Sequence, residues 1–273
     1  RLWSQGCQYE KDGVNITARR GGKLYLASRD LEKAERARED IINQTNNSNV
    51  FVKKLDLASF ESIHKFVKEF KENETELHIL INNAGVAMIP ERRITSDGLE
   101  LHIGINHFGH FLLTNLLMEM IKNSAPARII TVSSLGHFLG TIDREDLQME
   151  QSYFKWSAYF QSKLANILFT RELAKRLRGT NVTANSLHPG IVDTHIYDGF
   201  TDIDLIFFPK IIRKTPKSGA QTSIMLAVDP GVANVSGKYF SDCAIAIESI
   251  EAQNDELATW LWKESERITK SSF

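Results

Sequence analysis

Short runs of β-branched and apolar residues alternate with longer segments of helical spacing from residue 23 onward. The runs with a strand pattern are 23–27, 50–55, 77–81, 128–132 and 182–187. The segments with a helical pattern are 31–42, 60–70, 99–121, 157–177, 219–227 and 255–267. Strands that are apolar on both faces and alternate with helices form a parallel sheet. The pattern therefore predicts an α/β fold with a parallel sheet that is buried on both faces.

One domain covering residues 1–273 is expected, because neither an internal repeat nor a linker interrupts the alternation. Ser59 is a suitable N-cap for the helix predicted at 60–70. Residues 203–212 break the pattern with an apolar stretch that contains Pro209. This stretch fits equally well a flap over the core and a lid over an apolar substrate.

The composition limits the classes of partner. The formal net charge is −1, whereas a non-specific nucleic-acid or membrane-surface binder would carry a basic excess. Two cysteines, Cys7 and Cys243, are too few for a disulfide framework and suit a reducing compartment. The sequence has neither a signal-peptide pattern nor an apolar run long enough to cross a membrane. We therefore expect a soluble globular protein with no nucleic-acid partner and no transmembrane segment.

Polar and turn-forming residues stand at the carboxyl ends of the predicted strands. They are Ser28-Arg29-Asp30, Asp56-Leu57, Asn83-Ala84-Gly85, Ser133-Ser134 and Pro189-Gly190. Ligands of open parallel sheets bind at this edge. The sequence thus predicts a binding site assembled from these strand ends.

Tyr159 and Lys163 carry the clearest candidate chemistry. They are four residues apart in a predicted helix and so share one face. A nearby ammonium favours the phenolate and lowers the pKa of a tyrosine from its usual value of about 10. Such a tyrosine can exchange a proton with an alcohol or carbonyl oxygen. Ser134, at a strand end, is placed to polarise the same oxygen. Asn106 lies inside a predicted helix, where asparagine is a poor helix former, and the structural alternative to a functional role is a capped kink.

These residues resemble the short-chain dehydrogenase/reductase superfamily in order and spacing over about residues 14–270. The shared motifs are Asn82-Asn83-Ala84-Gly85, Asn106, Ser134, Tyr159-x-x-x-Lys163 and Pro189-Gly190. Longer strings resemble its retinol dehydrogenase-like branch. These strings are Ala27-Ser-Arg-Asp30, Asn106-His-Phe-Gly-His-Phe-Leu-Leu-Thr114, Tyr159-Phe-Gln-Ser-Lys-Leu-Ala-Asn-Ile-Leu-Phe169 and His188-Pro-Gly-Ile-Val192.

The resemblance implies that the α/β fold has a doubly wound, Rossmann-like parallel sheet. It also implies reversible, NADP(H)-dependent oxidation of an alcohol to an aldehyde or ketone. Tyr159 would be the general acid/base, and Lys163 would lower its pKa and hold the ribose hydroxyls of the cofactor. Ser134 would position the substrate oxygen. Asn106 would keep a helix carbonyl and a water available for proton relay.

The resemblance also implies a set of cofactor contacts. Besides Tyr159 and Lys163 these are Arg29, Asp56, Leu57, Asn83, Ala84, Gly85, Pro189, Gly190, Val192 and Thr194. Arg29 follows the second strand, where a guanidinium pairs with the 2′-phosphate of NADP(H). A surface arginine paired with Asp30 is the alternative.

The amino terminus departs from the family pattern. The family has a glycine-rich turn whose threonine aligns with Trp3 and whose glycines align with Ser4, Gln8 and Glu10. Glycine lets backbone N–H groups approach a pyrophosphate, whereas Gln8 would crowd that path and Glu10 would repel it. Only two residues precede the turn, so the first strand and the turn are expected to be missing or altered. Residues 1–13 are accordingly expected to be an atypical start that is truncated, alternatively spliced or out of frame.

Two functions from different classes remain open. The first is an oxidoreductase of an apolar alcohol, retinol-like or lipid-derived, and the alternative is a non-catalytic homologue that acts as a binding protein with an impaired cofactor site. A serine hydrolase is excluded because no G-x-S-x-G elbow surrounds Ser134. No metal site is expected, since His107 and His110 lack further ligands at useful spacing and fit helix packing. A homodimer and a location in the cytoplasm or at the endoplasmic reticulum are left open by the resemblance.

Overall fold

The fold is built on one eight-stranded sheet. A computed structural model describes residues 2–4, 18–19, 21–192 and 214–273, with residues 2–4 as backbone. The strand order is β3-β2-β1-β4-β5-β6-β7-β8, in which the first seven strands are parallel and β8 is antiparallel. The strands are β1 Leu2–Ser4, β2 Leu24–Ser28, β3 Val50–Lys54, β4 Ile79–Asn82, β5 Ala127–Val132, β6 Val182–His188, β7 Tyr239–Ser241 and β8 Ala244–Ile245. This order reverses at β1 and β4, as in a doubly wound Rossmann-like sheet, and confirms the predicted fold class.

Helices connect the strands and cover both faces of the sheet. They are α1 Leu31–Thr45, α2 Phe60–Asn73, α3 Leu101–Ile103, α4 His110–Asn123, α5 Lys155–Arg176, α6 Pro216–Gly219, α7 Gln221–Val228 and α8 Asp255–Thr269. Ser59 caps α2 as predicted, since its side chain accepts a hydrogen bond from the Ser62 amide. Asp30 caps α1 in the same way through the Lys33 amide.

The helix predicted at 99–121 is interrupted. Glu100 caps the short α3, and a π-helical segment, Gly104–Gly109, joins α3 to α4. The segment packs closely on its neighbours: a Cβ on Gly104 would lie 2.6 Å from Thr95 Cγ2, and one on Gly109 would lie 2.6 Å from the Leu57 carbonyl oxygen. Such widened turns are frequent at functional sites, and this one contains Asn106.

Two apolar layers hold the helices to the sheet. Phe66, Phe70 and Phe111 belong to the layer that α2, α4 and α5 form on one face. Ile41 and Leu226 belong to the layer that α1 and α7 form on the other face. Burial on both faces explains why the strands have continuous apolar runs.

The first strand, expected to be missing or altered, has three residues in the structure. Residues Leu2–Ser4 lie in the central position between β2 and β4, and Leu2 pairs with Tyr25 on one side and Leu80 on the other. A ladder forms here because backbone N–H and C=O groups pair regardless of the side chains, and three residues suffice to bridge two neighbours. Gln8 and Glu10, which replace glycines of the turn, lie outside the described residues.

Candidate active site

Tyr159 and Lys163 lie on one face of α5, as their spacing predicts. The Lys163 ammonium nitrogen is 5.8 Å from the centroid of the Tyr159 ring. Lys163 is almost fully buried, and its Nζ donates a hydrogen bond to the Val132 carbonyl at the end of β5 (3.2 Å). The Lys163 backbone carbonyl in turn accepts from Ser133 Oγ (2.6 Å). The cation is therefore fixed between the helix and the end of the strand.

Asn106 is a buried anchor for the segment that follows β4. Its Oδ1 accepts from the Val86 amide (2.9 Å), and its Nδ2 donates to the Val86 carbonyl (3.0 Å) and to Ser162 Oγ (2.9 Å). The alternative of a capped kink accounts for none of these contacts outside the helix. Asn106 thus links the π-helical segment both to α5 and to the segment that follows β4.

The backbone carbonyl of Asn106 faces a histidine. His110 Nδ1 lies 3.1 Å from this oxygen, and an N–H at that position donates to it. Burial lowers the pKa of His110 to about 4, against a smaller opposing effect of the Asn106 carbonyl, so its ring is neutral near pH 7. Sequence reasoning assigned His110 to packing, and its spacing of four from Asn106 is the signal that links the two.

Gly85 packs closely on this group of side chains. A Cβ at this position would lie 3.2 Å from Asn106 Oδ1 and 3.4 Å from Lys163 Nζ. The absence of a side chain lets the backbone of the turn come this close to Asn106 and to the cation. Asn83 and Ala84, which precede Gly85, follow directly from β4 and bring the turn to this place. Four of the predicted residues, Gly85, Asn106, Tyr159 and Lys163, are thereby brought together.

Ser134 stands at the carboxyl end of β5, beside the same helix. Its Oγ accepts a hydrogen bond from the Gly136 amide (3.1 Å) and caps the 3₁₀ turn Leu135–Leu139. Gly136 packs against α5, where a Cβ would lie 2.6 Å from Phe160 Cδ1 and 3.5 Å from Tyr159 Cε1. The turn that starts at Ser134 is therefore in contact range of the Tyr159 ring.

Two histidines that the sequence did not single out hold this turn in place. His137 Nδ1 lies 2.7 Å from the Ser134 carbonyl, and its Nε2 accepts from the Ser249 amide (3.2 Å). His188 Nδ1 accepts from the Leu135 amide (3.3 Å). Burial lowers the pKa of both rings, that of His188 to about 4. Neutral rings are what these contacts require, because each ring uses one nitrogen as an acceptor.

The loop after β6 brings the predicted Pro189, Gly190 and Val192 to the same edge. Gly190 has φ +91°, which favours glycine, and lies against the Lys214 side chain. Val192 is buried and packs on Gly219. Thr194 and the apolar stretch 203–212 lie outside the described residues.

Arg29, Asp56 and Leu57 lie at the other end of this edge. Arg29 is exposed directly after β2, while the neighbouring Asp30 caps α1 instead of serving only as a surface partner. Asp56 is ordered by the start of α2, because its amide donates to Ser62 Oγ (3.0 Å) and its Oδ1 accepts from the Ala58 amide (3.0 Å). Leu57 is buried beneath Gly109.

The described residues contain neither a cluster of metal ligands nor a membrane-spanning helix. Within 18–19, 21–192 and 214–273, no cluster of three or more histidine, cysteine, aspartate or glutamate side chains is placed to hold a metal ion. In the part of the chain that the structure describes, no helix is long and apolar enough to cross a membrane.

Comparisons with known proteins point to one family. Residues 12–202 match the family model described as short chain dehydrogenase. Retinol dehydrogenase 11 of Mus musculus is 50% identical over 255 residues, which cover 92% of this chain and 80% of that protein. Retinol dehydrogenase 12 of Homo sapiens is 48% identical over 258 residues, which cover 93% and 81%.

Solved structures share the fold. A crystal structure of an uncharacterized protein from Mycobacterium paratuberculosis has a TM-score of 0.79 and 30% identity, covering 100% of this chain and 94% of that one. The RhlG/NADP active-site complex of Pseudomonas aeruginosa has a TM-score of 0.68 and 20% identity, covering 92% and 95%.

Proposed function

Because this chain belongs to the short-chain dehydrogenase family, we propose that it is an NADP(H)-dependent oxidoreductase of an apolar alcohol and its aldehyde or ketone. The alcohol is retinol-like or lipid-derived. The observation that carries the proposal is the buried Lys163 ammonium, which lies 5.8 Å from the centroid of the Tyr159 ring and packs against Gly85. We further propose that residues 1–273 form a single domain.

Tyr159 is the general acid/base of the proposed reaction. In alcohol oxidation its phenolate oxygen takes the hydroxyl proton of the substrate, and in carbonyl reduction its phenol returns that proton. Lys163 makes this possible at neutral pH, because a fixed positive charge favours the phenolate. Ser134 donates a hydrogen bond to the substrate oxygen and holds it at Tyr159.

Asn106 and Lys163 take part in transferring the substrate proton from Tyr159 to solvent. The widened π-helical turn presents the Asn106 carbonyl, and His110 is hydrogen-bonded to the same oxygen. We assign this carbonyl the role of holding a water that receives the proton from the Tyr159 and Lys163 pair. The neutral ring of His110 keeps the carbonyl oriented without adding a second positive charge.

The cofactor contacts extend along the carboxyl edge of the sheet. We assign the adenine and ribose side to Arg29, Asp56, Leu57 and Asn83 to Gly85, and the nicotinamide side to Pro189, Gly190, Val192 and Thr194. When bound, the nicotinamide accepts or delivers the hydride. Gly85 fits this role because a side chain there would fill the space beside Lys163. Arg29 supports NADP(H) over NAD(H), since an exposed guanidinium at this strand end pairs with a 2′-phosphate.

An apolar substrate is supported by exposed side chains beside Ser134. Leu135 and Phe138 belong to the turn that Ser134 caps, and each is nearly half exposed. Phe154, directly before α5, is also exposed. The names of the relatives, retinol dehydrogenases 11 and 12, agree with an apolar alcohol of this kind.

Calorimetric titration of the chain with NADPH, followed by assays on retinol and shorter alcohols, tests the proposal. Micromolar binding and retinol oxidation that Tyr159→Phe abolishes are expected. A folded chain that binds no NADPH would overturn the proposal in favour of a non-catalytic homologue. That alternative is favoured by one observation, the replacement of glycines by Gln8 and Glu10.

A further inference from the structure

The segment Val86–Ile89 is held at both ends by side chains that lie one helical turn apart. Asn106 binds the backbone of Val86, and His102 Nε2 accepts a hydrogen bond from the Ile89 amide (3.3 Å). Residues four apart project from the same face of a helix, so His102 and Asn106 present a single surface to this segment. The segment separates the turn at Gly85 from the part of the chain that leads to α3.

Glu100 fixes the orientation of the His102 ring. The two side chains are 1% and 0% exposed, and His102 Nδ1 lies 2.8 Å from Glu100 Oε1. The carboxylate also accepts from the amides of His102 and Ile103 (both 3.0 Å) at the start of α3. An acceptor on Nδ1 places the proton on that nitrogen and leaves Nε2 as the acceptor that the Ile89 amide needs.

Tyr153 completes the attachment of Ile89. Its hydroxyl donates to the Ile89 carbonyl (2.7 Å), so side chains hold both backbone groups of this residue. The preceding Met88 is buried and has φ +53°, a left-handed conformation that is unfavourable for a residue with a side chain. A strained conformation of this kind persists when its surroundings fix it from several sides.

The His102 ring also lies beside the proposed catalytic tyrosine. Its centroid is 6.4 Å from that of Tyr159, with the rings edge to face, and 6.4 Å from that of Tyr153. The His102 ring therefore contacts Ile89, Tyr153 and Tyr159.

We infer that Glu100, His102 and Tyr153 are positioning residues that set the Val86–Ile89 segment against Tyr159 and thereby fix where the substrate lies. The effect on a reaction rests on the proposed function, whereas the structural coupling of the Val86–Ile89 segment to Tyr159 does not. The inference predicts that loosening Ile89 changes the rate at Tyr159 without removing any group that takes part in proton exchange.

The test uses His102→Leu, which keeps an apolar volume but removes the acceptor, and His102→Gln, which restores an acceptor oxygen. His107→Leu is the matched control, because His107 is also buried in this helical region but binds Ser265 of α8 (2.8 Å) instead of the segment. Rates are normalised to the NADPH-binding sites counted by calorimetry. We expect His102→Leu to lower kcat/KM for retinol about tenfold, the loss of about one hydrogen bond's stabilisation, and His102→Gln to recover part of it. His107→Leu should lower Tm with an unchanged rate per site.

Hydrogen exchange supplies a readout that does not need turnover. Peptides covering 86–90 and 157–163 should exchange about tenfold faster in His102→Leu than in His107→Leu, because one hydrogen bond to Ile89 is lost. Tyr153→Phe, which removes only a hydroxyl, should give the same pattern for 86–90 if His102→Leu does not fold. Unchanged exchange in both peptides would overturn the inference. A wild-type chain without turnover but with this exchange pattern would overturn the proposed function alone, whereas normal turnover in His102→Leu would overturn the inference alone.

Discussion

The proposed catalytic centre and the proposed adenine edge of the sheet are built in opposite ways. At the centre, Asn106 and Lys163 are buried and hydrogen-bonded to the segment after β4, to α5 and to the end of β5. At the adenine edge, Arg29 is exposed, and the central strand β1 has three residues. The replaced glycines, at Gln8 and Glu10, belong to this same half of the sequence.

This difference in burial separates the residues on which the stability of the fold depends from those on which it does not. A buried asparagine that loses its partners costs about 1–3 kcal/mol for each unsatisfied group, so residues of the centre are needed for stability as well as for reaction. An exposed arginine carries no such cost, because water replaces its contacts. Changes at the adenine edge can therefore alter cofactor binding while the chain keeps its fold.

The largest expected effect is at Tyr159. Tyr159→Phe should lower kcat for retinol about 10³-fold, because the phenol is the only group proposed to exchange the substrate proton. Calorimetry should show a much smaller change in the dissociation constant for NADPH, since Tyr159 loses only its hydroxyl and the other cofactor contacts remain. A loss of NADPH affinity as large as the loss of turnover would show that Tyr159 acts mainly in cofactor binding and would contradict its proposed role as general acid/base.

At the adenine edge, Arg29→Ala should weaken NADPH binding about 10–100-fold, the loss expected for hydrogen bonds to a charged phosphate. NADH binding should not change, because that cofactor has no 2′-phosphate. Calorimetric titrations with both cofactors measure the ratio. Arg36→Ala, on the exposed surface of α1, is the matched control, and an equal loss in both variants would show a general effect of positive charge.

Glu10→Gly should tighten NADPH binding about tenfold by removing a negative charge near the pyrophosphate and by freeing the backbone to approach it. Glu10→Gln removes the charge and keeps the side chain, so it separates the two causes. If neither variant changes the NADPH dissociation constant, the alignment of Glu10 with a glycine of the turn is wrong. The replaced glycines would then no longer distinguish the proposed adenine edge from the proposed catalytic centre.

The sequence predicted the sheet, most helices and the Tyr159 and Lys163 pair, because periodicity and a spacing of four depend on local geometry. It did not predict the π-helical segment at Asn106, which depends on the close packing of Gly109 on Leu57, 52 positions earlier in the chain. It also missed His102, whose partners Ile89 and Tyr153 are 13 and 51 positions away in the sequence. Contacts between segments that meet only after folding leave no periodic signal.

The smallest expected effect is that of the buried His107, near the proposed catalytic centre, on the free energy of unfolding at acid pH. Burial lowers the pKa of His107 to about 3, below the value of about 6.5 in the unfolded chain. The unfolded state therefore binds more protons below pH 6.5, and the stability that the neutral ring contributes is lost as the pH falls toward the folded-state value. Between pH 6.5 and 5.5 this residue should reduce the free energy of unfolding by about 1 kcal/mol. Urea unfolding at both pH values should show a loss smaller by that amount in His107→Gln than in the wild type, since His110 and His188 contribute equally to both proteins. Equal losses would mean that His107 is protonated in the folded protein, and that the surroundings of this buried histidine, near the proposed catalytic centre, admit more water than its contacts indicate.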